Sequence, residues 1–276
     1  MPVKKDATGR RSVQAEIEVP GSPEEVWEAI ATGPGISAWF VPSEVKEGQG
    51  GTVVSHFGPG SSMDAVATIT DWKPPHRFIA ESGDLGPEAP AVATEWIVEA
   101  RAGGTCVVRV VHSWFASSDD WDNQFEQHQH GWIGFFRILR LYLTHFRGQP
   151  CAAFQLMGVA PEPKAVAWAT LTGALGLAGA VAGQRVSSPP DAPSLAGAVE
   201  QVGPAEYPED FLLRLDEPAP GLAHLFALPM GGQVYLPIRF FYYGDQAHAV
   251  VASVERHWQV WLSSQVSPVE EAPSVV

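Results

Sequence analysis

Ser22-Pro23-Glu24-Glu25-Val26-Trp27, followed by Ala38-Trp39-Phe40, is the stretch that decides the fold. Ser22 is a candidate N-cap, and Pro23 suits the first helical position, where a missing N–H costs nothing. Glu25 stands at the third position, from which its carboxylate can complete a capping box. A helix therefore begins here. Beyond it, Thr52 to Phe57, Ala65 to Asp71, Arg77 to Glu81, Val92 to Glu99 and Thr105 to Phe115 read as strands. A long helix then opens at Gly131-Trp132. Trp132, Phe135, Phe136, Leu139, Leu143 and Phe146 recur along it at three- and four-residue spacing, while Arg137, Arg140, Thr144 and Arg147 occupy much of the opposite side. Gly148 and Pro150 supply its stop signal. A short helix, a run of antiparallel strands and one long closing helix predict an α+β fold with the sheet curled around the last helix.

The same residues carry a family resemblance. Val19-Pro20 with Pro23-Glu24-Glu25-Val26-Trp27, Trp39-Phe40, Gly50-Gly51, Ile69-Thr70-Asp71-Trp72-Lys73-Pro74-Pro75-His76-Arg77-Phe78, Gly103-Gly104-Thr105, His112-Ser113-Trp114-Phe115 and Gly131-Trp132 follow one another in a specific order. This order resembles the Hsp90-ATPase-activator-homologue branch of the START-like (SRPBCC) superfamily over roughly residues 12 to 147. The resemblance implies a helix-grip fold with an apolar cavity between sheet and long helix. It implies no single activity, because that superfamily includes lipid carriers, cyclases, hormone receptors and chaperone activators.

The chain has 276 residues, more than one usual domain, and its first half already accounts for a complete unit. We expect domains at residues 1–150 and 151–276. The second reads as a degenerate copy of the first, with an unrelated α+β domain as the alternative. Phe154 to Val159 is an opening strand, and Pro161-Glu162-Pro163-Lys164 precedes a helix with Trp168, Leu171 and Leu175. Strands follow at Phe211 to Leu215, Leu222 to Ala227 and Gln233 to Tyr243. A closing helix places Val250, Val251, Val254, Trp258, Trp261 and Leu262 on one face. Val186 to Pro193 is expected to be a loop, and Pro268 to Val276 a frayed tail. The aromatic run Phe240 to Tyr243 predicts a strand buried on both faces.

Lys and Arg total 17 against 31 Asp and Glu, a net charge of −14. The excess is shared, with 12 basic against 19 acidic residues up to Pro150 and 5 against 12 beyond it. That balance argues against nucleic acid or an anionic membrane as partner. Lys4, Lys5, Arg10 and Arg11 form only a short basic terminus, expected to be solvent-facing chain. Two cysteines, Cys106 and Cys151, are too few for a disulfide framework, which fits a cytoplasmic protein. Ala165 to Gly183 carries no charge, but its Ala, Gly and Thr content favours a buried helix and an apolar loop over a membrane span.

Alternation along Cys106 to Phe115 sets Cys106, Val108, Val110, His112 and Trp114 on one face, and Arg109 marks the other as solvent-facing. His112 then points inward. It reads either as a polar group that orients a ligand or acts in acid–base chemistry, or as a core histidine satisfied by a neighbouring carbonyl. Trp96 and Val98 share an inward face, leaving Glu95 and Glu99 as a solvated pair and not a catalytic dyad. The expected ligand-binding set is Val108, Val110, His112, Trp114, Trp96, Trp132, Phe135, Phe136 and Leu139. Asp119, Asp120, Asp122, Glu126, His128 and His130 resemble metal ligands, but two on a shared helical face make a poor site; no metal is expected, and the cluster reads as the acidic, solvated N-terminal turns of the long helix, where negative charge is favourable. No Gly-x-Ser-x-Gly elbow, phosphate-binding loop or dinucleotide fingerprint occurs, so neither a cofactor nor a catalytic nucleophile is expected.

Three functions follow, in this order. The first is a binding protein for a small apolar or lipid-like molecule. The second is an Hsp90-associated co-chaperone, resting on the family name alone. The third is a cofactor-independent enzyme of the polyketide-cyclase kind, which needs His112 and also Arg109 or a tyrosine to face one cavity.

Overall fold

The computed structural model describes residues 3–58, 61–83, 91–115, 122–205 and 207–268, apart from the side chains of residues 62, 122–130 and 267–268. The expected capping box is present. Ser22 Oγ accepts from Glu25 N, and Glu25 Oε2 accepts from Ser22 N at 2.8 Å. It starts α1 (Pro23–Ala31), and α2 (Gly33–Ser37) follows directly, capped by Thr32. Gly35 is required in this corner, because a Cβ there would lie 2.0 Å from the Glu28 carbonyl oxygen.

The chain forms two compact units, Met1–Gly148 and Gln149–Val276. In the first, β1 (Lys4–Lys5) and β2 (Arg10–Pro20) precede α1 and α2. They are followed by β3 (Ser43–Lys46), β4 (Thr52–His56), β5 (Asp64–Lys73), β6 (Arg77–Ser82), β7 (Val92–Arg101), β8 (Thr105–Phe115) and α3 (Asp122–His145). The strands pair in the order β1-β2-β8-β7-β6-β5-β4-β3, antiparallel throughout. Helix α3 lies on the inner face of this sheet, with its Phe136 and Leu139 fully buried against it. This is the expected α+β helix-grip fold.

Two expectations are corrected here. Helix α3 begins at Asp122, ahead of Gly131-Trp132, and Gly131 is an interior residue. Arg10 and Arg11 are not a loose basic terminus but the start of β2, where Arg10 Nη2 donates to Ser113 Oγ at 2.5 Å and Arg11 is buried. Pairing with β8 along its full length draws this strand into the sheet. Helix α3 ends at His145, and Gly148, with φ +72°, turns the chain out of it.

The second unit comprises β9 (Cys151–Pro161), α4 (Lys164–Ala174), β10 (Arg185–Ser187), β11 (Ala196–Val202), β12 (Asp210–Glu217), β13 (Gly221–Phe226), β14 (Leu228–Met230), β15 (Gln233–Tyr243), α5 (Ala247–Gln265) and β16 (Ser267–Pro268). Its sheet runs β10-β11-β12-β13-β15-β9-β16, with β14 beside β15. In each unit the first long strand pairs with the last, and the others follow in descending order. The tandem arrangement is thus visible in strand order alone. Val186 and Ser187, expected in a loop, belong to the short strand β10, and Pro268, expected in a tail, lies in β16. Phe240, Phe241, Tyr242 and Tyr243 are all buried. No helix among the described residues is long and apolar enough to cross a membrane.

Candidate functional site

The inner face of the first sheet is built in rows set by strand register. Phe78, Trp96 and Val110 lie side by side, then Ala80, Thr94 and His112, then Ser82, Val92 and Trp114. Farther out, Val53 pairs with Ala67 and Ser55 with Ala65. Ala65, Ala67 and Ala80 are small where the neighbouring row is large. Between them and helix α3 this leaves a cavity of ≈ 530 Å³. Trp39 and Phe40 from the corner after α2, and Trp132 and Phe135 from α3, form the opposite wall. Phe57 and Val66 line it and are also 40% and 55% exposed, which places the mouth at the β4–β5 end.

The aromatic wall is braced. Phe40 stacks on Trp132 with centroids 5.1 Å apart, and Trp132 meets Trp96 edge-on at the same separation. Trp39 is fully buried and donates its indole N–H to the Ala29 carbonyl oxygen at 2.8 Å, so it offers the cavity only a ring face. Such packing fixes the wall before any ligand arrives.

His112 is half-buried and bridges sheet and helix. The Trp132 indole N–H donates to its Nε2 at 2.5 Å, and its Nδ1 lies 3.0 Å from Thr94 Oγ1. An indole nitrogen only donates, so Nε2 carries the lone pair and the neutral ring holds its proton on Nδ1. Thr94 Oγ1 accepts that proton and keeps its own hydroxyl hydrogen to donate. Two partners of His112 are thus side chains. Ser55 and Ser82 add two hydroxyls to the lining.

The sequence-expected residues divide in two. Trp96, His112, Trp132 and Phe135 line the cavity. Val108, Val110, Trp114, Phe136 and Leu139 do not: each is at most 2% exposed and packs as solid core beyond it. The physical reason is the strand, not the row: Phe78 and Trp96 in the row of Val110, and Ser82 and Val92 in the row of Trp114, line the cavity from β6 and β7, whereas β8 contributes His112 alone among the described residues. Trp114 packs with Val13 and Val92 in a cluster of its own. Missed by sequence reasoning were Phe40 and Thr94, together with the alanines that make the room. A small residue at an inward strand position was the available signal.

Arg109 faces away from the cavity, as alternation indicated. It donates to Glu16 at 2.8 Å and to Glu99 at 3.1 Å, and these contacts, Glu16 first, hold its guanidinium above the usual arginine range. Arg77 likewise donates to Glu95 and Asp71. Asp119 and Asp120, and the side chains of Asp122, Glu126, His128 and His130, lie outside the described residues, among which no group of metal-ligating side chains occurs.

The second unit has a pocket of ≈ 530 Å³ between β9, α4 and the end of α5, lined by residues such as Val159, Ala167, Thr170, Ser264 and Val266 and without an aromatic wall among the described residues. Phe154, Phe240, Tyr242, Trp258 and Trp261 fill the space between its sheet and α5. Phe240 and Trp258 are 4.7 Å apart at their ring centroids. Burial pushes the Tyr242 hydroxyl well above its ordinary range.

Residues 10–135 match the polyketide cyclase / dehydrase and lipid transport family. That match spans the sheet, the cavity and the first turns of α3 past Trp132. No curated protein matches the chain. Among solved structures, the di-domain ARO/CYC BexL is similar at 12% identity over 95% of this chain and 100% of that one, with a TM-score of 0.46. DynU16, of the dynemicin biosynthetic locus, is similar at 16% identity over 92% and 95%, with a TM-score of 0.41. The Aha1 dimer from Colwellia psychrerythraea is similar at 20% identity over 48% and 95%, with a TM-score of 0.38. No residue role is taken from these likenesses.

Proposed function

We propose that this protein binds one small, largely apolar molecule in the cavity of its first unit. The observation that supports the reading best is the chamber itself: aromatic on the helix side, floored by alanines, and furnished with a few hydroxyls and one tethered imidazole. Ligand sites are commonly concave and mostly apolar, with few polar groups to fix orientation. The family description, polyketide cyclase / dehydrase and lipid transport, fits a ligand of that kind.

Binding is favoured over turnover. A cyclase-type reaction would need several proton-transfer groups around the ligand. Among the described residues lining the cavity His112 is the one titratable side chain and there is no tyrosine, and Arg109 points to the other face. Of the two pockets, only that of the first unit has an aromatic wall, so one ligand per chain is expected there. Native mass spectrometry of the freshly purified full chain, followed by solvent extraction, tests this. A single added mass that extraction removes is expected. A bare mass, with no uptake of an apolar probe such as naphthamide, would overturn the reading.

A further inference from the structure

We infer that the cavity accepts uncharged, oxygen-bearing ligands and turns away carboxylates of the same shape, fatty acids included. This rests on the apolar-ligand reading above and adds a selection rule to it.

The rule comes from what the lining offers. Among the described residues its polar side chains are Ser55, Ser82, Thr94 and His112, and no Lys, Arg, Asp or Glu is among the described lining residues. Two arginines of the sheet are committed on its outer face, Arg77 to Asp71 and Glu95 and Arg109 to Glu16 and Glu99, and Arg11, buried beside Trp114, is not among the described lining residues. His112 presents Nε2 as an acceptor that the indole N–H of Trp132 already occupies. Protonating Nε2 would set two donors against each other.

A neutral oxygen is served well by this set. Thr94 keeps a hydroxyl hydrogen to donate to a carbonyl or hydroxyl oxygen. Ser82 Oγ donates to the Val92 carbonyl oxygen at 3.3 Å, which leaves its lone pairs to accept from a ligand O–H or N–H. A carboxylate has the opposite demand. It is acceptor-only, carries a full charge, and must leave water for a site with no countercharge. It would have to take up a proton or stay outside. The net charge of −14 adds an unfavourable field at the mouth.

Naphthamide and naphthoate of one substitution pattern test the rule, since they match in shape and differ in charge. Calorimetric titration of the full chain at neutral pH should give naphthamide at least about tenfold tighter binding. Ser55→Arg, at the partly exposed end of the chamber, should recover naphthoate by about tenfold while circular dichroism stays unchanged. Equal affinity for the two ligands in the unaltered chain would overturn the selection rule and leave the apolar-binding reading standing. A folded Ser55→Arg variant with no gain in naphthoate would also overturn it, because the rejection would then not be electrostatic. Binding of neither ligand overturns both readings.

Discussion

Trp132 on α3 donates its indole proton to His112 on β8, and this single bond ties the ligand-side wall of the helix to the middle row of the sheet. It joins the two elements whose separation defines the chamber. It also decides which nitrogen of the imidazole is protonated, and so what the site can offer a guest.

Replacing either partner leaves a polar group unpaired. Trp132→Phe frees His112 Nε2, and His112→Phe orphans the indole N–H. Each should destabilise the first unit by about 1 kcal/mol or somewhat more. A double-mutant cycle from chemical denaturation should return a coupling of about 1 kcal/mol, and strict additivity would show that the bond contributes nothing.

Filling the floor should separate binding from stability. Ala80 sits in the row with Thr94 and His112 and is only 4% exposed. Ala80→Leu places about three further carbon atoms in space now empty, so the melting temperature should hold or rise while naphthamide affinity falls at least about tenfold. An unchanged affinity in the folded variant would move the ligand elsewhere.

The helix start that opened the sequence reading makes a stability prediction. Glu25 Oε2 accepts from Ser22 N and also from Arg147 Nη1, each at 2.8 Å, so one carboxylate oxygen joins the beginning of α1 to the chain just past α3. Ser22→Ala should cost about 1 kcal/mol through the lost cap. Arg147→Ala should cost less, about 0.5 kcal/mol, since that pair is solvent-screened. Equal losses would mean that the ion pair, not the cap, holds this corner.

Cys106 should be silent to thiol reagents in the native chain. It is fully buried, its Sγ donates to the Gly21 carbonyl oxygen at 3.3 Å, and burial, aided by the nearby charges of Glu24 and Glu25, raises its ionisation above the ordinary value. In a Cys151→Ser background, alkylation at neutral pH should appear only on unfolding. The sign for stability follows: above about pH 8.5 the unfolded thiol ionises while the folded one stays neutral, so this residue draws stability down as pH rises. Rapid labelling of the folded chain would contradict the burial.

How legible was this in the sequence? The strands from Thr52 to Phe115 were read to within a residue or two, because their alternation is regular and their ends carry turn residues. Strand β2 was missed, although Val13, Ala15, Ile17 and Val19 alternate, because Arg10 and Arg11 disguised its start as a basic terminus. The start of α3 was legible only in charge: residues 122–130 carry little apolar periodicity, so Gly131-Trp132 read as its opening, while the acidic cluster before it read as its first turns, where α3 does begin. At the site, alternation identified His112 and Trp96 as inward. It could not tell which inward residues border a void. A cavity is a difference between neighbouring side-chain sizes across strands, and only register brings Ala80 beside Thr94 or sets Val110 beside Trp96.

One property of the paired sheets bears on the behaviour of the protein in a crowded solution. The four outermost strands, β1, β3, β10 and β16, span two, four, three and two residues. β1 pairs only with Arg11 and Ser12 of β2, and β16 only with Gly158 and Val159 of β9, so among the described residues most of the outer edge of each of these eleven-residue strands has no strand beside it. An extended peptide finds ladder to continue there, and these open edges, not the short margins, are where edge-to-edge pairing would begin.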